Sequence, residues 1–396
     1  MEISNTKALK KNNQFLILSE IIDNQPISRS ELTDKLNVSH TTISTIVKEL
    51  MEQGLVVEEG FSESSGGRRP KLLSFNGEKK YAISIEVEEK KLFYGLFNLN
   101  FDIEFKGEIS LENINFNQLV DNLYNAIHKK LKDYKIDYNK IVGLGISVPG
   151  IYKEQDDQII DAINEIIETK GVKKAFQEKF MLPVYLENDA NLAVYYEWKY
   201  GLAKNYNQVI YVVLDEGIGG GIIMNNQIYR GGHGNAGEIG HIKVKASGKK
   251  CTCGGIGCLE SIASINELEK TFNNRITKGE QSIIQDIKPG PYNFKDMVLA
   301  AQKDDYLAND IIEEAYKYIV IGISNLINIF DPELIIIGGY FNIYDDSFFD
   351  NLKSDLAEIT FSNIVEGLEV KTTIRDNEFQ LKASLAYVFD KWKNKI

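Results

Sequence analysis

Apolar side chains recur with helical spacing near the start of the chain. Residues 13–24 carry a broad apolar face and are predicted to form a helix that ends before Pro26. A second helix is predicted over 28–36, because Ser28 and Glu31 have the spacing of a capping box. The apolar residues of the first helix are Phe15, Leu16, Ile17, Leu18, Ile21 and Ile22.

A third helix is predicted after a turn at Asn37, with Gly54 as its C-terminal stop. Its apolar residues follow the i, i+3, i+4, i+7 spacing: Ile43, Ile46, Val47 and Leu50. Its opposite face is typical of a helix that contacts bases and phosphates in the major groove. That face carries His40, Thr41, Thr42, Ser44, Thr45 and Lys48. The alternative is a three-helix packing module with a solvated polar face.

Two short strand-like segments, 55–58 and 71–75, follow the third helix. The loop between them, FSESSGGRRP, carries Arg68 and Arg69 and suits a wing that reaches a phosphate or the minor groove. The helix lengths, the tight second turn and the arginine-tipped loop are all consistent with the same fold, a winged helix-turn-helix. Residues 1–76 are therefore predicted to form a winged helix-turn-helix domain that binds operator DNA.

The pattern changes from residue 81 onwards. Apolar strand-like runs alternate with helical stretches, which predicts two successive α/β lobes of similar design. We expect the first lobe over 80–190 and the second over 191–396, with a C-terminal helix that can return to the first. The predicted strands are 81–87, 91–99, 102–110, 141–148, 184–187, 209–215 and 334–339; helices are predicted near 115–133, after Asp189 and over 310–329.

Composition and charge limit the class of protein. A chain of 396 residues with 43% hydrophobic residues and 7 prolines is long enough for two or three globular domains. Its apolar runs are too short to span a bilayer and its N-terminus lacks the apolar region of a signal peptide, so a cytoplasmic protein without a membrane partner is expected. The net charge of −12 argues against a protein that coats nucleic acid. Residues 1–75 are nearly neutral, with nine Lys/Arg against ten Asp/Glu. For DNA binding by this segment, the positions of the basic residues therefore matter more than its net charge.

All three cysteines of the chain lie within eight residues of one another, shortly after a histidine. Thiolates and a neutral imidazole are the ligands that zinc prefers, and four protein ligands leave no open position for a catalytic water. We therefore predict a structural zinc site formed by His241, Cys251, Cys253 and Cys258. The alternative is three unrelated free cysteines in a loop.

The tract GEIGH followed by CTCGGIGCLE resembles the signature of the ROK family, which comprises sugar kinases and sugar-responsive repressors. The resemblance covers essentially the whole chain, and SSGGRRP resembles the wing of ROK repressors. It implies an actin-like (ribonuclease-H-like) duplicated sugar-kinase fold preceded by the winged helix-turn-helix domain. It also implies that a ligand binds in a cleft between the two lobes.

The resemblance further implies a set of sugar-binding residues. In ROK kinases the aspartate of ENDAN is the general base, which corresponds to Asp189. Asp189 could instead be only a helix N-cap, and Glu260 could be a solvated carboxylate at a helix start. The segment around Asn164, DAINEIIE, departs from the family pattern. The residues implied to bind sugar are Asn164, Asn188, Asp189, Glu238, His241 and Glu260.

The phosphate-binding pattern of ROK kinases is missing from the first predicted hairpin. Where the family has DxGGT, this chain has Glu86-Val87-Glu88-Glu89-Lys90. A carboxylate about 4 Å from a phosphate oxygen costs roughly 4 kcal/mol at an effective dielectric constant of about 20. The second glycine run, Gly217–Gly221, follows Asp215 and Glu216 and is interpreted as a tight strand connection. Asp189 would then be a vestigial base, and no catalytic residue is predicted.

The sequence thus predicts a sugar-responsive repressor of the N-acetylglucosamine, glucose or xylose type, which acts at least as a homodimer, or as a tetramer, on operator DNA. Its effector would be a monosaccharide or amino sugar. CLES at 258–261 resembles the amino-sugar and glucose regulators more than the xylose regulators, which tend to carry tryptophan there. One alternative is an active ATP-dependent sugar kinase with an appended regulatory domain, and another is a regulator whose signal is a protein partner.

Overall fold

The computed structural model describes residues 2–61, 69–160, 162, 164–167, 170–339, 341, 349, 351–360, 362–373 and 376–396. Its helices are α1 (Glu2–Asn24), α2 (Arg29–Leu36), α3 (His40–Glu52), α4 (Phe116–Asp133), α5 (Val172–Phe180), α6 (Asp189–Tyr200), α7 (Glu260–Ala263), α8 (Ile265–Thr277), α9 (Ile284–Ile287), α10 (Phe294–Ala301), α11 (Tyr306–Phe330), α12 (Leu352–Ile359), α13 (Ser362–Gly367) and α14 (Phe379–Lys393). Its strands are β1 (Ile27–Ser28), β2 (Val56–Phe61), β3 (Lys71–Phe75), β4 (Tyr81–Val87), β5 (Lys91–Asn98), β6 (Ile103–Ser110), β7 (Ile141–Val148), β8 (Ile151–Lys153), β9 (Gln158–Ile160), β10 (Val184–Asn188), β11 (Val209–Leu214), β12 (Ile218–Met224), β13 (Gln227–Ile228), β14 (Leu334–Gly338) and β15 (Glu369–Thr373).

The N-terminal elements α1 to α3 pack beside a three-stranded sheet of order β1-β3-β2, which is a winged helix-turn-helix. The predicted capping box is confirmed: Ser28 accepts from the Glu31 N–H, and the Glu31 carboxylate accepts from the Ser28 N–H. Asn37 is left-handed at φ 51°, as the turn requires. Two details differ from the prediction. α1 begins well before residue 13, and Leu16 is 37% exposed rather than part of the core.

The winged helix has its own apolar core, built from the residues that the helical spacing selects. Every core residue of α3 predicted from the sequence is buried, which leaves the polar face of the helix outward. The buried apolar residues of α1, α2 and α3 are Ile17, Leu18, Ile21, Leu32, Ile43, Ile46, Val47 and Leu50.

Two five-stranded sheets follow, and they share one topology. In the first, of order β6-β5-β4-β7-β10, the first three strands in chain order form an antiparallel meander and β7 adds parallel to β4. In the second, of order β13-β12-β11-β14-β15, β11 to β13 form the meander and β14 adds parallel to β11. Each sheet thus has its first strand at the centre. This repetition is the duplication predicted from the alternating strands and helices.

The chain divides into two compact units. The first unit comprises Met1–Glu187 and Ser384–Ile396 and contains the winged helix and the first five-stranded sheet. The second unit comprises Asn188–Ala383 and contains the second sheet. The division falls after Glu187, three residues before the lobe boundary expected from the sequence, and again within α14.

No helix among the described residues is both long enough and apolar enough to cross a membrane.

Candidate functional site

Four potential metal ligands converge in the second unit. The ligand atoms of His241, Cys251, Cys253 and Cys258 all lie within 4.8 Å of one another. Cys251 Sγ lies 3.6 Å from His241 Nδ1, and Cys253 Sγ lies 3.5 Å from Cys258 Sγ. The second separation is far longer than the roughly 2.05 Å of a disulfide bond, so these are free thiols.

These separations fit a tetrahedral metal ion. With metal–sulfur bonds of about 2.3 Å and metal–nitrogen bonds of about 2.0 Å, two sulfurs are about 3.8 Å apart and a sulfur and a nitrogen about 3.6 Å apart. Nδ1 of His241 is the ring nitrogen on the sulfur side, since Nε2 lies 3.9 Å from Glu238 Oε2. A carboxylate at the distal nitrogen orients a metal-binding imidazole, so Glu238 suits that supporting role.

The surroundings of the three thiols affect their ionisation in different ways. Burial raises the pKa of the Cys251 thiol to about 11, so in the absence of a metal this sulfur would be protonated at neutral pH. The backbone N–H of Gly255 lowers the pKa of the Cys253 thiol. Lys243 Nζ lies 2.6 Å from Cys258 Sγ, where its charge offsets that of a thiolate. The sequence analysis did not select Lys243, whose only signal is its position two residues after His241.

The loop that carries the thiols depends on Gly257. Its φ is 73°, and a Cβ there would lie 1.8 Å from the backbone oxygen of Lys245. Isolated bridges pair Lys243 with Cys258 and Lys250 with Ile256, which brings both ends of the loop together. Any other residue at 257 would push the Cys258 end of the loop away from the other ligands.

The proposed sugar-binding residues Asn188 and Asp189 lie where β10 meets α6. Asn188 is the N-cap of α6, and its side chain accepts from the Asn191 N–H at 3.1 Å. Asp189 is the first helical residue, and its Oδ1 accepts from the Ala190 N–H at 2.8 Å. Capping therefore falls to Asn188, and the alternative that Asp189 is the N-cap is wrong. The half-buried Asp189 carboxylate sits at the positive end of the helix dipole, which stabilises its charged form.

Glu260 is the first residue of α7 and is half-buried. Its Oε2 accepts from the Ile218 N–H at 3.3 Å, and its Oε1 lies 4.0 Å from Cys251 Sγ. The carboxylate is thus held between strand β12 and the thiol cluster, rather than being a freely solvated helix-start carboxylate. Glu238 is more exposed and begins the 3-10 turn Ile239–His241.

The glycines of β12 let these elements approach one another. A Cβ at Gly221 would lie 2.3 Å from the Ala190 backbone oxygen in α6, and one at Gly220 would lie 2.0 Å from Ile239 Cδ1. The interpretation of this run as a strand connection holds for Gly217, which lies in the short β11–β12 connection, but is wrong for Gly219, Gly220 and Gly221, which lie inside β12 and pair with β11. Because glycine has no side chain, α6 can pack against one face of β12 at Gly221 and the 3-10 turn against the other face at Gly220.

Asn164 belongs to the first unit, whereas the other five predicted sugar-binding residues belong to the second. Its Nδ2 donates to the backbone oxygen of Glu89, and its Oδ1 accepts from the Ile166 N–H at 2.8 Å. Both polar ends of the amide therefore have protein partners. The contact with Glu89 fixes the tight β4–β5 turn, where Glu88, Glu89 and Lys90 are all exposed.

The polar face of α3 is open to solvent. Its N-cap is Ser39, which accepts from the Thr42 N–H and which the sequence analysis did not select. His40, Thr41, Thr45 and Lys48 are exposed, and Thr42 and Ser44 are half-buried. In the wing, Arg69 is exposed, and Arg68 lies outside the described residues. A helix N-terminus with short polar side chains fits phosphates and base edges.

The fold and these sites define a class of protein: a winged helix-turn-helix joined to an actin-like sugar-kinase module. The ROK family model matches residues 82–378, and the MarR family model matches residues 11–69. The chain therefore belongs to the ROK family.

Among its relatives is the xylose repressor of Bacillus subtilis (strain 168), 31% identical over 370 residues that cover 93% of each chain. The DNA-binding transcriptional dual regulator NagC of Escherichia coli (strain K12) is 28% identical and covers 85% of this chain and 82% of its own. A crystal structure of a ROK family transcriptional regulator, a homologue of the E. coli MLC protein, has a TM-score of 0.85 at 24% identity, with 98% of this chain and 97% of that chain covered. A ROK glucokinase from Streptomyces griseus, solved with glucose and AMPPNP, has a TM-score of 0.62 at 24% identity and covers 78% of this chain and 98% of its own.

Proposed function

We propose that the protein is a sugar-responsive, DNA-binding transcriptional repressor of carbohydrate metabolism. The observation that carries the proposal is the combination, in one chain, of an exposed polar α3 with a ROK module whose β4–β5 turn bears Glu88 and Glu89. The names of its relatives, xylose repressor and N-acetylglucosamine repressor, support the same function. In this proposal residues 1–76 bind operator DNA, while 80–190 and 191–396 form the sensor.

The proposed DNA contacts are the polar residues of α3 together with Arg68 and Arg69. Binding to paired half-sites requires at least a homodimer, and access to the chromosome places the protein in the cytoplasm. The effector would act through different affinities for two conformational states of the protein.

The proposed metal is one structural zinc ion, held by His241, Cys251, Cys253 and Cys258. Three sulfurs and one nitrogen complete a tetrahedral shell, and the donor spacings support this ion. When bound, zinc would neutralise the thiolates and tie the loop 251–258 to the 3-10 turn that bears Glu238 and His241.

The proposed effector is a monosaccharide or amino sugar, bound through its hydroxyls. Planar carboxylates and amides accept and donate pairs of hydrogen bonds to neighbouring hydroxyls. The proposed ligands remain Asn164, Asn188, Asp189, Glu238, His241 and Glu260. CLES favours an amino sugar or glucose, whereas the relatives include both xylose and N-acetylglucosamine repressors.

The proposal is tested first by thermal unfolding in D-xylose, D-glucose and N-acetyl-D-glucosamine, since a ligand that binds the native state raises the melting temperature. The sugar that does so is then added to the protein bound to a DNA duplex that the protein has selected from random sequences. The expected result is one sugar that raises the melting temperature and changes the affinity for that duplex. If none of the three sugars alters either quantity, the proposed function is wrong.

ATP is expected to bind very weakly or not at all, because Glu88 and Glu89 occupy the turn that contacts phosphate in ROK kinases, and Asp215 and Glu216 precede the second glycine run. Calorimetry with MgATP, with and without the sugar, measures this directly, and the Streptomyces griseus glucokinase provides a positive control. A micromolar dissociation constant, or formation of a sugar phosphate, would show instead that the protein is a sugar kinase.

Lys48→Ala is expected to weaken DNA binding to a similar degree on all sequences and to reduce the salt slope of log K by about one, because a lost phosphate contact releases one counterion fewer. Lys48 is 78% exposed, so the fold should be unaffected. Affinities over 50–200 mM salt measure the slope. Lys317→Ala, at an exposed position on α11, is the matched control. Equal slopes for Lys48→Ala and wild type would exclude Lys48 from the DNA interface.

A further inference from the structure

Helix α14 belongs to both compact units. Its residues up to Ala383 cluster with the second unit, and those from Ser384 onwards cluster with the first. The chain also passes from the first unit to the second between Glu187 and Asn188, immediately before Asp189. One end of α14 therefore lies with the proposed effector residues, and the other lies with the winged helix.

The first turn of α14 contacts the start of α6. Gln380, which is 3% exposed, donates from Nε2 to the backbone oxygen of Asp189 at 2.9 Å. Phe379 packs edge-on against Tyr196, with ring centroids 5.4 Å apart, and stacks near Tyr211 at 6.3 Å. The position of the Asp189 main chain is thus tied to α14 by a hydrogen bond from a buried side chain.

The middle of α14 packs tightly on strand β7 of the first sheet. A Cβ at Gly145 of β7 would lie 2.4 Å from Ser384 Oγ and 2.7 Å from Val388 Cγ2. A Cβ at Gly143 would lie 3.1 Å from Val388 Cγ1. The helix therefore lies directly on the backbone of β7, with no side chain between them at these two glycines.

The last turns of α14 contact the winged helix. Phe389, 2% exposed, packs against Phe75 at the end of β3 with ring centroids 5.6 Å apart. Trp392 stacks beside Phe389 at 6.0 Å. The final three residues line a shallow cavity together with Lys11, Asn12 and Phe15 of α1.

We propose that α14 transmits effector binding to the DNA-binding domain, with Gln380 as the positioning residue at the effector end and Phe389 as the contact at the other. Nine residues separate the two side chains, which is about 14 Å along a helix. A packed helix moves as a body, so a shift of the Asp189 main chain pulls on Gln380 and displaces Phe389 against Phe75. The inference rests on the proposed function, because it requires a sugar at Asn188 and Asp189.

The chain contains a reporter for each end. Its 2 tryptophans are Trp198, in α6, and Trp392, near the end of α14. With excitation that selects tryptophan, the emission of a Trp198→Phe protein therefore comes from Trp392. Full-length protein of this background is titrated with D-xylose, or with N-acetyl-D-glucosamine if only that sugar raises the melting temperature of the wild type. Sugar affinity is measured in parallel by calorimetry.

The expected result is that saturating sugar changes the Trp392 emission, and that Gln380→Leu in the same background reduces this change at least threefold. Sugar affinity should stay within about threefold, because Gln380 contacts the Asp189 main chain and leaves the carboxylate in place. The ratio of operator affinities with and without sugar should fall by a similar factor. Lys391→Ala, at an exposed position of the same helix, should leave all three quantities unchanged.

An unchanged emission response and affinity ratio in Gln380→Leu would overturn the inference while leaving the proposed function intact. If no sugar binds the wild type, the proposed function fails first and the inference fails with it. If Gln380→Leu does not fold, Phe389→Leu provides a second test of the inference. It should bind sugar with wild-type affinity but lose the effect of sugar on operator binding, and retention of that effect would likewise overturn the inference.

Discussion

Removal of the proposed zinc ion is expected to destabilise the second unit by several kcal/mol. Structural zinc sites contribute about 10 kcal/mol or more of apparent binding free energy in zinc-finger peptides, and here a large apolar core remains without the ion. A loss of about 5 kcal/mol would lower the melting temperature by roughly 10–20 °C in a unit of this size. Elemental analysis should give about one zinc per chain, and calorimetry after chelation should show the lowered transition.

Cys253→Ser is the most specific variant for this test. Because Cys253 is exposed, its sulfur contributes little to the core, and the substitution should affect stability mainly through the metal site. It should reproduce the effect of the chelator and make the protein insensitive to further chelation. Ser247→Ala, at an exposed position of the same tract, is the matched control. Metal-free protein that unfolds at the wild-type temperature and binds sugar normally would contradict the structural role.

Asp189→Asn is expected to abolish the response at sugar concentrations that saturate the wild type, while leaving operator binding without sugar within about twofold of wild type. The substitution keeps the shape of the side chain and an oxygen for the Ala190 N–H. It removes the charge that would accept a sugar hydroxyl in the proposed effector site. A hydrogen bond to a charged group is worth about 1.5–3 kcal/mol, so sugar affinity should fall roughly 10- to 150-fold. Calorimetry and operator-binding titrations measure the two effects.

Asp286→Asn changes the same functional group at an exposed position of α9 and should have neither effect. A variant Asp189→Asn that still responds at wild-type sugar concentrations would remove Asp189 from the effector site. Loss of operator binding in the absence of sugar would show that Asp189 serves the stability of the protein rather than its sensing.

Much of the fold could be predicted because its signals are local. The capping box at Ser28, the left-handed Asn37 and the apolar stripe of α3 each depend on residues within one or two turns of helix. The strands β4, β7, β11 and β14 are largely continuous apolar runs, which identify buried strands without knowledge of their partners. The four potential metal ligands were recognisable for a similar reason, since three of them lie within eight residues of sequence.

Features that depend on distant residues could not be predicted. The side-chain amide of Asn164 donates to the backbone oxygen of Glu89, 75 residues earlier. The residues next to Asn164 in the sequence therefore gave no sign of this contact. The glycines of β12 read as a loop because sequence does not reveal that α6 and the 3-10 turn lie on either side of them. Likewise nothing in the residues near Gln380 indicates that its side chain meets the main chain of Asp189, 191 residues away.

The glycines of β12 also affect how this protein could be engineered. Gly220 and Gly221 are fixed by the atoms of Ile239 and Ala190, so a saturation-mutagenesis library should show them to be intolerant of replacement. The packing around β12 is by itself enough to require glycine at these two positions, whether or not a nucleotide binds nearby. An attempt to install phosphoryl transfer should leave β12 untouched and redesign the β4–β5 turn, where the side chains of Glu88 and Glu89 are exposed.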